Sequence, residues 1–202
     1  MIMERKLLPG EKIRQEKLAR DLGISRTPLV AALKFLEHEK LVESKPRRGF
    51  FVRLFKKQEM ISIFELREVL EGLAARRAAT HITAPQIDQL QQFFHPFRQA
   101  PEIRDYRSYS QEDRRFHTFV IQIGAKEFLR SILETYNIIS FSYQVVSSEG
   151  LVRSPNETMG EHLAVIEAIS DRDPEAAETL MRSHFKKSAA SLMRDAAKLR
   201  PI

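Results

Sequence analysis

The sequence contains no cysteine. That excludes disulfides, thiolate metal ligation and a cysteine nucleophile, and it fits a cytoplasmic protein. No apolar run approaches the roughly 20 residues needed to span a bilayer, so no membrane partner is expected. No secretory leader is expected either, because Glu4, Arg5 and Lys6 are all charged. Repeats, low-complexity tracts and an HExxH pattern are lacking, and no nucleophile stands beside an evident base. What is present is a chain of 202 residues, 43% apolar, long enough for one large or two small domains with a proper core. Its net charge of +6 is uneven. Residues 1–57 hold 15 Lys and Arg against 7 Asp and Glu, whereas residues 58–202 hold 18 against 20. A basic small segment on a near-neutral large one suggests a nucleic-acid module attached to something else; a solvated basic face without a partner is the plainer alternative.

The basic segment has an order that supports the first reading. Residues 7–10 read as a helix end and turn. A short helix follows over 16–22, stopped by Gly23, and a second over 25–39, with Ser25 as N-cap and Pro28 in its first turn. Leu29, Ala32, Leu33 and Leu36 form a stripe expected to be buried. Residues 41–44 and 50–54 read as strands joined by a turn carrying Lys45, Arg47 and Arg48, with Gly49 permitting the tight bend. This is the pattern of a winged helix-turn-helix. Its second helix presents Ser25, Arg26, Thr27, Val30 and Lys34 to the major groove, where Arg26 can chelate guanine and Thr27 can reach a phosphate or a thymine methyl. The cations of the wing can meet phosphates or the minor groove.

After a short linker at 55–58 the pattern becomes helix after helix, at about 59–80, 85–98, 106–123, 125–147, 157–171 and 174–197. An all-α antiparallel bundle over 59–198 is expected, so the chain is mainly α with a small two-stranded wing. Asp113 and His117 lie four residues apart beside a stripe of Tyr109, Phe116 and Val120. His162 and His184 lie 11 residues either side of Asp173 in a tight connection. An antiparallel hairpin puts both at one height, about 16 Å from the turn. Together the four make a plausible Asp-His-His-His metal site; single histidines on apolar stripes are more often hydrogen-bonded core residues. Arg67 and Glu71, one turn apart, offer either an anchor for a ligand carboxylate or a core ion pair. His38, His81 and His95 read as ordinary.

Leu8-Pro9-Gly10, the run from Leu18 to Pro28, Ala32-Leu33, Leu36-Glu37, Leu41-Val42 and the stretch from Arg48 to Val52 resemble the GntR family of bacterial transcription regulators. The second half, through Arg67–Ala75, Asp113–His117, Glu161–Ile169, Asp173–Ala177 and Met181–His184, resembles the FCD ligand-binding domain of FadR-type members. The resemblance implies a ligand-responsive regulator, probable repression being the commoner sense, that binds a pseudo-palindromic DNA operator as a homodimer. It carries the family's metal ligands onto Asp113, His117, His162 and His184, and it implies a small carboxylate effector at or near the metal. Zinc suits three imidazoles and a carboxylate; nickel or another divalent ion is the alternative. Two departures stand out. Val30-Ala31 replaces the usual Arg-Glu, removing a common DNA contact, so Arg26, Arg47 and Arg48 are expected to carry more and Val30 to touch a thymine methyl. Most of the family's first helix would also lie before Met1, so either this start is internal or the first helix is shortened to the roughly two turns that residues 2–7 can supply. The alternatives to this reading are a metal-independent sensor of a larger acyl ligand and a metal-assisted helical hydrolase.

Overall fold

The computed structural model describes residues 6–100, 102–147 and 151–198, without the side chains of 141–147 and 195–198. Helices α1 (Gln15–Leu22) and α2 (Arg26–His38) lead into strands β1 (Val42–Lys45) and β2 (Gly49–Val52). Six helices then build the body: α3 (Lys57–His81), α4 (Ala84–Gln92), α5 (Tyr106–Gly124), α6 (Glu127–Ser147), α7 (Pro155–Ser170) and α8 (Pro174–Lys198). Of residues 2–7, which alone could supply part of the family's first helix, 2–5 lie outside the described residues.

In the head, Gly23 caps α1 in the left-handed region that glycine adopts without penalty, which turns the chain toward α2. Ile13, Leu18, Leu29, Leu33, Val42, Phe50 and Val52 form its core. Two expectations change here. Ala32 is exposed rather than buried, because Leu29, Leu33 and Leu36 already fill the space behind α2. Ser25 occupies the N-cap position but makes no side-chain cap bond, and its residue is exposed. Antiparallel β1 and β2 pair Val42 with Val52 and Lys45 with Gly49. The segment before α1 also runs along β2, with hydrogen bonds from Ile13 N–H to the Phe50 carbonyl and from Val52 N–H to the Glu11 carbonyl. This third lane carries no alternating pattern, and the sequence did not reveal it.

The segment 55–58 is no free tether. Phe55 is buried with Leu41 in the body's core, Leu36 packs against the cores of both halves, and α3 begins at Lys57. Arg53 pairs with Glu59 and reaches the Lys40 carbonyl, and Glu59 in turn caps the start of α3. Head and body are therefore clamped at the root of α3.

In the body, α3 packs along α8 and across α5; Gly124 lies so close to α3 that a Cβ there would collide with the Ala74 carbonyl. The helix expected over 85–98 ends at Gln92. Phe93 and Phe94, both buried, leave the helix, and Pro96 lacks the N–H a continuing helix needs. The chain turns at Phe94 and makes a short 3-10 turn over His95–Phe97. The other body helices follow their expected spans to within two residues. Among the described residues, no helix is long and apolar enough to cross a membrane.

Candidate metal centre and nucleic-acid face

Three helices converge on one point inside the body. Asp113 and His117 come from α5, His162 from α7 and His184 from α8, and one ligand atom from each lies within 4.8 Å of the others. The equal offsets from Asp173 do bring His162 and His184 together, with ring centroids 4.6 Å apart. All three histidines are buried, and Asp113 alone of the four keeps partial exposure.

The partners of the Nδ1 atoms fix which nitrogen each ring presents. His117 Nδ1 donates to Glu71 Oε2 at 2.7 Å, and His184 Nδ1 donates to Glu161 Oε2 at 2.9 Å. Each glutamate is held in turn by an arginine. Arg67 donates from Nε to Glu71 at 2.7 Å, and Arg153 forks onto both Glu161 oxygens at 2.9 and 2.7 Å. The third ring uses a neutral route. Thr158 commits its proton to the Ser154 carbonyl at 3.2 Å, so it accepts from the Tyr109 hydroxyl at 2.9 Å. The Tyr109 oxygen then accepts from His162 Nδ1–H at 3.1 Å. Each Nδ1 thus carries the proton, and each Nε2 keeps a lone pair for a ligand position. Such outer-shell partners orient metal-bound histidines and raise their basicity.

Electrostatics keep the donors in their ligating forms. Burial pushes the His184 imidazole down to about 3, against the pull of Glu161. Burial also lowers His162, against the pull of Asp113. Burial opposes ionisation of Asp113, but nearby His162, His117 and His184 outweigh it and hold the carboxyl well below the usual range. Glu71 and Glu161 are likewise held low, the first by Arg67 and His117, the second by His184, Arg153 and Lys187, in each case against burial. Neutral imidazoles beside a carboxylate are a divalent-metal donor set.

One local feature tests the fit. His162 Nε2 lies 3.1 Å from Asp113 Oδ1 yet makes no aligned hydrogen bond. Two such atoms this close need a proton or a cation between them. Ligand atoms about 3.4 Å apart are what a tetrahedral ion with roughly 2.1 Å bonds requires. The residues therefore fit a metal ion, with the remaining donors drawing slightly inward.

Beside the cluster is a cavity of about 30 Å³ lined by Phe64, Arg67, Leu151, Arg153 and Phe185 among others. Arg67 and Glu71 form the core ion pair with each other, and the Arg67 guanidinium sits 4.4 Å from the Phe185 ring centroid. Sequence reasoning missed Glu161, Arg153, Tyr109 and Phe94. Glu161 carried a signal, standing next to His162 in the motif; Arg153 lies in an irregular loop and carried none.

The head gathers the other expected residues. Arg26, Arg47, Arg48 and Gly49 border one cleft of about 640 Å³, together with Lys12, Arg14, Lys17 and Arg20. Ser25, Arg26, Thr27 and Lys34 are exposed. Lys45 is turned aside: it pairs with Glu43 at 2.7 Å and lies over the Phe51 ring. Val30 is half-buried and packs against the head's core. Arg47 and Gly49 both take positive φ, which makes the wing tip tight. His38, His81 and His95 are exposed and are not among the clustered residues.

Comparison with known proteins agrees with this division. Residues 62–187 match the FCD domain family, and residues 1–52 match the bacterial regulatory proteins of the gntR family. The chain is 26% identical to the HTH-type transcriptional repressor RspR of Escherichia coli, over 92% of this chain and 81% of that protein. It is 25% identical to a probable D-xylose utilization operon transcriptional repressor of Paenarthrobacter nicotinovorans, over 91% and 80%. Among solved structures, E. coli McbR/YncC shares the fold with a TM-score of 0.75 at 21% identity, covering 96% of this chain and 92% of that one.

Proposed function

The chain belongs to the GntR family of transcriptional regulators and carries an FCD domain, and on that premise we propose a metal-dependent, effector-controlled repressor. DNA binding is the common property of the family. The finer assignment is that the head's cleft takes operator DNA, with Arg26 reading bases and Arg47 and Arg48 meeting phosphates. A divalent ion, zinc by its donor preference, is held by Asp113, His117, His162 and His184. When bound, such an ion supplies a positive centre that a small carboxylate can ligate. Arg67, which lines the adjoining cavity, and Glu71, which holds both Arg67 and His117, complete the effector site.

The observation that carries this reading is that His117 and His184 set Nδ1 on a glutamate and His162 sets Nδ1 on Tyr109, which leaves three Nε2 atoms and one carboxylate for a common point. The small cavity favours a compact acid over the larger acyl ligand considered from the sequence. The hydrolase alternative is set aside, since the relatives are transcriptional regulators. Helix α3 offers the route for control. It begins at the Arg53–Glu59 clamp under the head and carries Glu71 against His117. An effector that binds two positions of α3 unequally shifts the head.

A homodimer on a pseudo-palindromic operator suits two heads. Leu66 and Val69 on α3 and Phe128 and Ile132 on α6 are exposed, beside a cluster that includes Leu70 and Leu129, and they offer apolar surface for a second copy. The test is a thermal-shift screen of small organic acids on metal-loaded protein. A true effector raises the melting temperature by mass action, loses that effect in His162→Ala and His184→Ala, and changes operator affinity. A shift that survives both substitutions sinks the proposed site.

A further inference from the structure

Phe94 takes a backbone conformation that is costly for a residue with a side chain. It is fully buried, with φ at +61°, just beyond the end of α4. Helix ends ordinarily place glycine at such a position, because a Cβ is disfavoured in the left-handed region. The neighbouring Phe93 is also buried, yet it sits at φ −60° and ψ 141° without strain. A strained aromatic held against the local rule is a reason to look for its use.

The use is visible in what the ring faces. Phe94 lies flat on the His162 imidazole, with centroids 4.8 Å apart and planes 6° from parallel. Among the described residues, the neighbouring ring pairs meet at steeper angles: Phe94 with Tyr109 at 41°, Phe116 with His162 at 58°, His162 with His184 at 48°. The turn is tied to the helix of the ligands, since Phe94 N–H donates to Glu112 Oε1 on α5 at 3.2 Å.

This matters for the donor set because both ring nitrogens lie in the imidazole plane. The hydrogen bond to Tyr109 fixes one atom of the His162 ring and leaves it free to swing about that point. A flat apolar surface removes this freedom without occupying either nitrogen, and it keeps water from one face. His162 also has the only neutral Nδ1 partner of the three histidines, so it lacks the carboxylate that orients His117 and His184.

We propose that Phe94 is the positioning residue for the metal ligand His162, a stacking platform that replaces the glutamate serving the other two histidines. The proposal rests on reading the cluster as a metal centre, and the experiment separates the two. Cobalt(II) is titrated into metal-stripped wild-type protein, Phe94→Leu and Phe119→Leu; Phe119 is a buried ring of the same core that meets Phe93. Affinity comes from competition with a chromophoric chelator and ligand geometry from the visible cobalt bands. Proton NMR of the metal-free wild type reads the His162 ring.

The His162 ring protons should be displaced upfield by the Phe94 ring current and return in Phe94→Leu. Cobalt affinity should fall roughly tenfold or more in Phe94→Leu, in line with lost outer-shell support, with changed band intensity. Phe119→Leu should match the wild type in both, even where its melting temperature drops. Equal affinities for the two variants overturn the proposal, and so do unshifted His162 protons in the wild type, a result that needs no folded variant. Failure of the wild type itself to take up cobalt overturns the metal centre first, and with it the need for a platform.

Discussion

The two halves of this molecule treat charge in opposite ways. The head keeps its cations on the surface, where Arg26, Arg47 and Arg48 border an open cleft. The body buries its charged and titratable groups: Arg67, Glu71 and Arg153 are inside it with His117, His162 and His184, and among the described residues no buried charged side chain belongs to the head. Surface cations interact through water, add little to stability and act on a polyanion by releasing counterions. Buried charges cannot be left alone, so each must be paired, and each pair constrains the next. The head can therefore change one cation at a time. The body's site stands or falls as a network.

This contrast sets the size of the expected effects. Glu71→Ala leaves Arg67 and His117 without their partner and should destabilise the fold by about 3–5 kcal/mol; urea melts measure it. A loss below about 1 kcal/mol would mean that the buried ion pair is not a structural element. Arg26→Ala should leave those melts unchanged and weaken operator binding by about 1–3 kcal/mol, with relaxed specificity at one base pair. Anisotropy titrations on operator and scrambled DNA check both parts, and an equal loss on the two sequences would reassign Arg26 to phosphate.

Acid should also separate the halves. His184 is held neutral in the folded body, with its pKa lowered from 6.5 to about 3. Below pH 6.5 the unfolded chain takes up a proton that the folded site refuses, so stability is complete above that pH and declines toward pH 3. Thermal melts of metal-free protein across this range should show the decline, and it should shrink in His184→Phe. The smallest expected effect lies in the head. Val30→Arg should strengthen DNA binding and increase the slope of log affinity against log salt by about 1. Unchanged affinity and slope would show that Val30 belongs wholly to the head's core, against which it is half-buried.

The same contrast explains what could be read in advance. Exposed cations appear directly in composition, and the head's helix-turn-helix and wing follow from Gly23, Gly49 and local periodicity. The body's Asp/His cluster was legible because Asp113 and His117 share a helix face and His162 and His184 mirror each other about Asp173. Their supports were less so. Glu161 shows only as the neighbour of His162, and Arg153 reaches it from an irregular loop without periodicity. Phe94 falls inside the helix expected over 85–98; the chain leaves that helix after Gln92, ahead of Pro96, at a turn that periodicity does not signal. The clamp of Arg53 on Glu59 and the Lys40 carbonyl was hidden behind a stretch that reads as linker, because burial of Phe55 depends on the body it packs against.

The central claim is that the body's buried network exists to hold a metal ion. Calorimetric titration of zinc into chelator-stripped, full-length protein tests it most directly. The account predicts one ion per chain with proton release small near neutral pH, because the imidazoles are already neutral, and loss of that binding in His184→Ala. Absence of saturable binding in the wild type, or binding of equal affinity in His184→Ala, would contradict it.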